Sequence, residues 1–508
     1  MDSPVVTQLF RQLFRSHPAC QSRRNLAALS SCIRDGRRTQ SHQQRRGMAS
    51  GRGRQPVERG TKSKLDDSET NWQQRTELFS LDMTDEYKSY PTVTANELRN
   101  RRERPRKVKM LMRDFIEDSL YNPHYGYFSK QVVIFSPGEP FDFNALPDEP
   151  AFHAELGRRY TEFEDALDAQ KPDPTRQLWH TPTELFRPYY GEAVARYLMS
   201  NYVMSTYPYH DLIIYEMGAG RGTLMLNVLD YIRDVEPSVY DRTKYKIIEI
   251  SPSLASLQAA RLAENAGHAD KVEIVNRSIF DWRERVPSPC FFLAMEVFDN
   301  FAHDVLRYDL ATEEPLQGAV LIDGRGDFHE FYEPALDPLA ARYLRVRHAA
   351  TGGRYRLPYS SSRALRWLKA RMPFAPNLSD PEYVPTRLLQ FFDILEKYFP
   401  AHRLLTSDFH TLPDAVKGLN SPVVQTRFER RMVPVTTPLV HQGYFDILFP
   451  TDFGVMEAVY GAVTGKLTRV TTHEAFMRSW AYVEDTQTRS GENPLLSWYK
   501  NASVLVTV

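Results

Sequence analysis

The sequence predicts an α/β protein in which helices cover a mostly parallel sheet. Three apolar runs carry this prediction, at residues 212–215, 245–250 and 290–296. Strands packed on both faces read as apolar runs, and the first two are each followed by a segment with helical periodicity. With 508 residues, of which 42% are hydrophobic, the chain is long enough to bury such a sheet.

Each predicted strand ends at or beside a glutamate: Glu216, Glu249 and Glu296. Parallel strands present their carboxyl ends at one edge of a sheet, and ligands of such sheets bind outside that edge. We therefore expect three carboxylates to converge on one site. Carboxylates orient a guanidinium group by paired hydrogen bonds, so this site suits a cationic acceptor.

A glycine-rich loop follows the first strand. Gly218, Gly220 and Gly222 permit positive φ and a close ligand approach, while Thr223 opens a helix whose free N–H groups attract anions. Glu249 suits a ribose, but it lies 31 positions after the first glycine, whereas dinucleotide folds place this acid about 20 residues on. S-adenosylmethionine and NAD both satisfy the layout. A tight turn with a surface glutamate is the structural alternative.

Three motifs resemble the core motifs of the MidA family: E-M-G-A-G-R-G-T-L-M (216–225), I-I-E-I-S-P-S-L-A-S-L-Q (247–258) and F-F-L-A-M-E-V-F-D-N-F-A-H-D (291–304). The family patterns are similar to E-L-G-P-G-R-G-T, V-E-x-S-x-x-L-x-x-x-Q and N-E-x-x-D-x-x-P. The family includes a mitochondrial protein-arginine methyltransferase that assists assembly of respiratory complex I. The resemblance implies a Rossmann-like class I S-adenosylmethionine-dependent methyltransferase sheet with an inserted, mainly helical lobe.

The resemblance also implies S-adenosyl-L-methionine as the cofactor and a protein substrate, with a complex I subunit as the expected target. We expect Glu249 at the ribose, Glu216 at the methionine end, and Glu296 with Asp299 as the catalytic residues of the acceptor pocket. The alternative for Glu296 is a cap on the turn that follows it. The expected cofactor-binding residues are Glu216, Gly218, Gly220, Gly222, Thr223, Glu249, Ser278 and Ile279.

The chain departs from the family pattern near the acceptor site. Met295 replaces an asparagine, residues 301–303 replace a Leu-Pro pair, and His410 replaces a glycine. Residues 181–186 are the expected counterpart of the family's G-D-F-x-T-x-P-E-I segment, but its G-D-F part is missing. An insertion at residues 137–179, expected to be a surface excursion, precedes them. These departures favour a second hypothesis, an inactive cofactor-binding assembly or scaffold factor for a respiratory complex or the mitoribosome. An NAD-dependent enzyme is the third.

The first 54 residues contain eleven arginines, no lysine and two acids. Apolar residues recur there at helical spacing beside Arg11 and Arg15, which is typical of a mitochondrial transit peptide and predicts a matrix protein. A disordered basic tail is the alternative. Two of the three cysteines lie in this leader, so Cys290 is left alone, as a reducing compartment favours.

The chain offers little support for other classes of ligand. His180 and Glu184 have the spacing of paired metal ligands, but Pro182 between them and the lack of a second pair argue against a metal site. The zero net charge argues against nucleic acid, and no apolar run is long enough to span a membrane. The predicted parts are a transit peptide (1–50), a disordered linker (51–93), an N-terminal helical region with the insertion (94–200), a Rossmann-like core (201–335), a helical lobe (336–400) and a C-terminal part that completes the sheet (401–508).

Overall fold

The computed structural model describes residues 82–130, 132–264, 267–362, 364–366 and 376–508. The predicted transit peptide lies outside these residues. The strands are β1 (Val108–Leu111), β2 (Val132–Ile134), β3 (Gln177–Trp179), β4 (Leu212–Met217), β5 (Thr243–Ile248), β6 (Val272–Val275), β7 (Cys290–Met295), β8 (Asp304–Tyr308), β9 (Pro315–Ile322), β10 (Phe328–Glu333), β11 (Glu382–Val384), β12 (His402–Phe409), β13 (Val423–Phe428), β14 (Arg431–Val435), β15 (Asp446–Leu448), β16 (Thr468–Thr472) and β17 (Ala502–Thr507).

The helices alternate with these strands through the central part of the chain. They are α1 (Thr84–Ser89), α2 (Ala95–Leu98), α3 (Met112–Tyr121), α4 (Tyr127–Lys130), α5 (Glu149–Gln170), α6 (Pro182–Leu185), α7 (Tyr189–Ser205), α8 (Thr223–Val235), α9 (Pro237–Tyr240), α10 (Pro252–Glu264), α11 (Pro338–Thr351), α12 (Thr386–Tyr398), α13 (Phe453–Thr464), α14 (His473–Trp480) and α15 (Pro494–Ser497). None of these described helices is long and apolar enough to cross a bilayer.

The central sheet has seven strands in the order β16-β17-β12-β7-β4-β5-β6. All neighbouring pairs are parallel except those of β17, which is antiparallel to β12 and to β16. The chain runs outward from β4 through β5 and β6, and then crosses to β7 and β12 on the other side. The strand order therefore reverses between β4 and β7, which is where open α/β sheets bind ligands. The predicted Rossmann-like sheet is confirmed.

Helices pack on both faces of this sheet because its strands are apolar on both sides. On one face, Val194 and Leu198 of α7 and Leu229 of α8 are buried against Ile214 of β4. On the other, the ring of Phe292 in β7 lies 5.5 Å from that of Phe391 in α12 and 5.3 Å from that of Phe399. These layers fix the ends of β4 and β7, where the candidate site lies.

The described part of residues 336–400, the predicted helical lobe, contains the helices α11 and α12 and the short strand β11. α12 covers the central sheet, while β11 pairs with β8 in a second, antiparallel sheet of order β1-β9-β8-β11, with β10 beside β9. The apolar face of α12 is visible in the sequence, but periodicity does not tell which surface such a face covers. The hairpin of β9 and β10, which the Gly-Arg-Gly turn predicts, is present with Phe328 opposite Ile322.

The predicted linker is ordered at its C-terminal end. α1 lies within the range 51–93, and its Tyr87 is buried with its ring 4.1 Å from that of Phe331 in β10. Lys109 donates from Nζ to the carbonyl oxygen of Tyr87 at 2.8 Å. The helix α1 therefore packs on the second sheet through Tyr87. The low apolar content of residues 51–93 does not predict this contact.

The insertion is part of the core and not a surface excursion. Phe141, Phe143 and Phe152 are buried, and Phe143 stacks on Phe186 at a centroid distance of 5.8 Å. The insertion is closed by β3, which pairs in parallel with β2. Ile134 at the end of β2 lies against the glycine-rich loop. If Gly220 carried a Cβ atom, that atom would lie 3.0 Å from Cδ1 of Ile134.

Candidate active site

The loop after β4 has the backbone that its glycines predict. Gly218, Gly220 and Gly222 have φ values of +70°, +53° and +76°, and Gly222 is the N-cap of α8. Gln258 of α10 donates from Nε2 to the carbonyl oxygen of Gly220 at 2.8 Å, which holds the loop against the next helix. The loop therefore leaves room for a ligand directly above the N-terminus of α8.

Glu249 follows β5 and is held in place by the same helix. Its Oε1 accepts a hydrogen bond from the Ser251 amide at 2.9 Å, and its Oε2 accepts one from Gln258 Nε2 at 3.1 Å. Burial raises the pKa of Glu249, and these hydrogen bonds oppose that shift. Each carboxylate oxygen has a second acceptor position, so the carboxylate can also bind the two hydroxyls of a ribose.

Glu216, the last acid of β4, is fixed by a neighbouring strand. Its Oε2 accepts a hydrogen bond from the Tyr245 hydroxyl at 2.7 Å. Burial raises the pKa of Glu216 to about 7, the hydrogen bond opposes the shift, and the charge of Glu249 adds to it. The Glu216 side chain thus lies between the glycine loop and the end of β7.

Thr223 and Glu184 form a pair that the sequence analysis did not predict. Thr181 caps α6 and Pro182 begins it, which turns Glu184 toward the glycine loop. There Glu184 Oε1 accepts a very short hydrogen bond from the Thr223 hydroxyl. The sequence pattern T-P-T-E-L contains the signal, since residues 181–186 are the expected counterpart of the G-D-F-x-T-x-P-E-I segment, but no role is predicted for Glu184 apart from the rejected metal site with His180.

The end of β7 carries a backbone strain of the kind that is often found at functional sites. Glu296 has a φ of +54°, although it is not a glycine, and its amide donates to the carbonyl oxygen of Ser407 at 2.8 Å. Its carboxylate is partly exposed toward the cleft and accepts no hydrogen bond from the described residues. The alternative, that this side chain caps the following turn, is therefore wrong: Asp408 takes that position, accepting from the Phe298 and Asp299 amides at 2.8 and 3.2 Å.

Four carboxyl groups, which we call the acid cluster, meet at this edge of the sheet: those of Glu296, Asp299, Asp408 and Asp446. Burial and the charge of Asp408 raise the pKa of Glu296 and of Asp299 well above the usual range. Burial raises the pKa of Asp408 and of Asp446 to about 7. Within the described residues, none of the four is in an ion pair, and Asp299 Oδ1 has no hydrogen-bond partner. The cluster is therefore a group of carboxyl groups with no cation beside it in the part of the chain that the structure describes.

Two tyrosines that the sequence analysis missed stand beside this cluster. The hydroxyl of Tyr499 is buried without a partner, and burial and the charge of Glu296 raise its pKa. The hydroxyl of Tyr190 lies 4.0 Å from Sδ of Met295. Met295, which replaces the family's asparagine, thus packs against a phenol. His410 lies at the strand end and its Nδ1 is 3.0 Å from Ser503 Oγ, so this departure is structural.

One cleft joins the glycine loop to the end of β7. Of the predicted residues, the structure brings Glu216, Gly218, Gly220, Thr223 and Glu296 together as lining residues of this cleft. Its glycine cradle and unpartnered polar atoms fit S-adenosylmethionine.

The remaining predicted residues lie outside this lining. Gly222 and Glu249 support it from behind, and Asp299 lies deeper, in the acid cluster. Ser278 caps the short 3-10 turn Ile279–Asp281 by accepting from the Phe280 amide at 3.3 Å. Ile279 is buried in the core with Trp282. An adenine contact through the backbone of Ser278 and Ile279 stays a prediction.

Comparison with known proteins gives the same picture. The model of the family "Putative S-adenosyl-L-methionine-dependent methyltransferase" matches residues 193–471. A relative from Schizosaccharomyces pombe, "Protein arginine methyltransferase NDUFAF7 homolog, mitochondrial", is 26% identical over 392 residues, or 74% of this chain and 80% of the relative. A Saccharomyces cerevisiae protein of the same name is 21% identical over 347 residues, or 63% of this chain and 78% of the relative.

Among solved structures, a likely methyl transferase from Burkholderia thailandensis bound to S-adenosyl-homocysteine is similar, with a TM-score of 0.49 and 16% identity. The alignment covers 79% of this chain and 88% of that chain. The mitochondrial location predicted from the basic leader agrees with the names of both relatives. The predicted cofactor, S-adenosyl-L-methionine, is confirmed by the family. Because the family model spans more than half of its residues, the chain belongs to the family of putative S-adenosyl-L-methionine-dependent methyltransferases.

Proposed function

We propose that the protein is a mitochondrial matrix enzyme that methylates arginine in a protein substrate. The observation that carries this proposal is the acid cluster, a group of buried carboxylates without a cation beside the cofactor cleft. The names of the two yeast relatives, both protein arginine methyltransferases, support the same acceptor. The predicted activity thus rests on this chain's own residues as well as on its relatives.

A guanidinium group matches this site better than an ammonium group does. Guanidinium is planar, stays protonated, and presents paired N–H groups that bind a carboxylate edge to edge. The carboxylate of Glu296 is free of other partners and lines the cleft, so it can bind such an edge at the cofactor. Asp299 and Asp408 lie behind it, and a cation bound at Glu296 would lower their raised pKa values and favour their ionised forms, which stabilises a cation over a neutral acceptor.

The residues also provide a route for the proton that the reaction releases. The bound cofactor supplies an electrophilic methyl group. As the new N–C bond forms, the guanidinium nitrogen loses one proton, and an oxygen of Glu296 is in position to accept it. A raised pKa makes Glu296 a stronger base than an exposed glutamate, so this transfer is favoured. Tyr190 lines the cleft, and the buried hydroxyl of Tyr499 lies near Glu296.

The test is transfer of labelled methyl groups to mitochondrial proteins. The full chain is incubated with S-adenosylmethionine carrying a tritiated methyl group and a matrix extract from cells that lack the protein. After acid hydrolysis, we expect the label in methylated arginine. Glu296→Gln should abolish it, and Glu284→Gln, an exposed glutamate, should not. Label in lysine would overturn the acceptor assignment.

The expected target, a subunit of respiratory complex I, comes from the resemblance to the MidA family. Immunopurified complex I from the same reaction should contain the labelled polypeptide. Label confined to other proteins would replace this target and leave the activity intact. If the chain binds S-adenosylhomocysteine but labels nothing, the hypothesis of an inactive assembly or scaffold factor becomes the better one.

A further inference from the structure

We propose that a cavity between α11, α12, α13 and β11 is a second small-molecule site, which binds a monocarboxylate with an apolar body. Arg347 of α11 binds the carboxylate, and side chains of α12 and α13 surround the apolar part. The cavity is separate from the cofactor cleft, since none of the described residues lines both spaces. The inference goes beyond the proposed methyl transfer and does not depend on it.

Arg347 is buried beside the cavity, but its hydrogen bonds are only partly made. Its side chain is 3% exposed, and its Nη1 donates to Oε1 of Glu382 in β11. Its Nε and Nη2 have no hydrogen-bond partner among the described residues. These two nitrogens form one edge of the planar guanidinium group, and such an edge binds a carboxylate through two parallel hydrogen bonds. Because a buried donor without a partner is destabilising, this edge indicates a group that a ligand satisfies.

The other polar groups of the lining show that the ligand must bring acceptors. Both oxygens of Glu382 are occupied, since Oε1 accepts from Arg347 and Oε2 accepts from the Tyr308 hydroxyl. Burial lowers the pKa of His303 to about 3, so this lining residue is neutral at physiological pH. Asp452 is exposed and caps α13. In the described part of the lining, the buried polar atoms without partners are therefore both N–H donors, which fit an anion and not a cation.

Two tyrosines fix the plane of the Arg347 guanidinium group. Cζ of Arg347 lies 4.1 Å from the ring centroid of Tyr355 and 5.5 Å from that of Tyr343. An aromatic ring contacts the face of a guanidinium group and leaves the donors of its edge unused. The rings and Glu382 thus hold the guanidinium group in place before a ligand arrives, which reduces the entropy that binding costs.

The remainder of the lining is mainly apolar. Buried members are Leu388 and Leu389 of α12 and Met456 and Val459 of α13. The cavity has a volume of about 160 Å³. An apolar cavity of about 150 Å³ holds a benzene molecule. One aromatic ring, or a branched chain of similar size, that carries one carboxylate therefore matches both the volume and the charge of the site.

Calorimetric titration of the full chain with three probes tests the site. The probes are benzoate, benzylamine, which carries the opposite charge on a similar body, and inorganic phosphate, which has no apolar body. Benzoate should bind with a Kd of about 1 mM or tighter, and the other two at least about tenfold more weakly. Absence of benzoate binding, or equal binding of either other probe, would overturn the proposal.

A second titration separates this site from the cofactor cleft. Benzoate should bind with unchanged affinity when S-adenosylhomocysteine is present at saturation, because the two spaces share no described lining residue. Competition between the two ligands would place benzoate in the cofactor cleft and overturn the proposal. If S-adenosylhomocysteine itself does not bind, the proposed methyl transfer fails while the benzoate result still decides this site.

Variants then test the residues of the site. Arg347→Lys keeps the positive charge beside Glu382 but has no planar edge, so benzoate should bind about tenfold or more weakly. Val455→Phe, at a half-buried lining residue of α13, fills part of the cavity and should weaken benzoate by a similar factor with Arg347 intact. Arg345→Lys, at an exposed arginine of α11, is the matched control and should bind as the wild type does.

The Tm of each variant without ligand reports on folding. If Arg347→Lys does not fold, Val455→Phe still decides the outcome, because it leaves the ion pair of Arg347 with Glu382 unchanged. Wild-type affinity for benzoate in a folded Arg347→Lys or Val455→Phe variant would overturn the proposal.

Discussion

The two ends of the cleft are built from different charges. At the glycine-loop end, Glu184 stands between Arg187 and Arg221, and opposite charges alternate within about 4 Å. At the other end, Glu296 and Asp299 belong to a cluster in which every charge is negative. A mixed set of charges suits a zwitterion, and an all-acidic set suits a cation. The contrast supports the proposal that the first end binds the cofactor and the second the acceptor.

The two ends also differ in what keeps them in place. The glycine-loop end is held by hydrogen bonds from neighbouring helices, such as those of Gln258 and Arg261. In the acid cluster, backbone amides converge on Asp408 and hold its carboxylate. Glu296 in the same cluster has a strained, positive φ. Substitutions at the two ends should therefore separate cofactor binding from turnover.

The largest effect is expected for Glu296→Gln. The amide keeps the size and the backbone of the glutamate but cannot form two charge-assisted hydrogen bonds or accept the released proton. We expect kcat for methyl transfer to fall by about 10²-fold or more, with the affinity for S-adenosylhomocysteine within threefold of wild type. If kcat and the affinity for S-adenosylhomocysteine fell equally, Glu296 would contribute to cofactor binding and the two ends would not be separate sites. If the activity were unchanged, Glu296 would have only a structural role.

The next effect concerns Gly220→Val, which should abolish measurable cofactor binding in calorimetry. The Cβ of the valine would lie 3.0 Å from Cδ1 of Ile134, which itself lines the cleft, so the added side chain occupies space at the cleft. The left-handed φ of +53° adds about 1 kcal/mol of strain. Gly465→Val is the matched control, since Gly465 has a φ of +69° and no atom within 4 Å of an added Cβ. If both variants lose stability equally and both still bind, the loop is not the cofactor site.

The acid cluster should also give the reaction a characteristic pH dependence. Glu296 must be ionised to bind a guanidinium group, and burial with the charge of Asp408 raises the pKa of Glu296 well above the usual range of a glutamate. Protonation of Glu296 as the pH falls through this raised pKa removes the charge, so kcat/KM should rise with pH. Cofactor affinity at the other end should change less. A rate that is flat from pH 6 to pH 8 would contradict this role of the cluster.

The sequence predicted the glycine loop and the three strand-end glutamates because these features are local. A glycine at a left-handed φ and an acid after an apolar strand can be read within a few residues. The contact of Glu184 with Thr223 and the position of Tyr499 could not be predicted in this way, because both depend on the tertiary packing of separate segments. The prediction that the insertion is a surface excursion was wrong for the same reason. Its acidic residues can be seen in the sequence, but the packing of Phe143 on Phe186 is a tertiary contact that the sequence does not show.

The smallest expected effect is a gain in stability from Asp299→Asn. Its pKa is raised in the folded state, so the folded chain binds more protons than the unfolded chain above the unfolded pKa of about 4. Stability therefore falls as the pH rises from about 4 through the raised pKa, and the neutral amide removes part of this loss.

We expect the Tm of the variant to exceed that of the wild type by about 2 °C or more at pH 8, and the difference to shrink toward pH 5. Thermal unfolding across this pH range measures both quantities. Asp270→Asn, at an exposed aspartate, should change neither. A lower Tm for Asp299→Asn at pH 8 would show that the charge of Asp299 is stabilised by partners in the folded chain. The description of the acid cluster as a site without a cation would then be wrong.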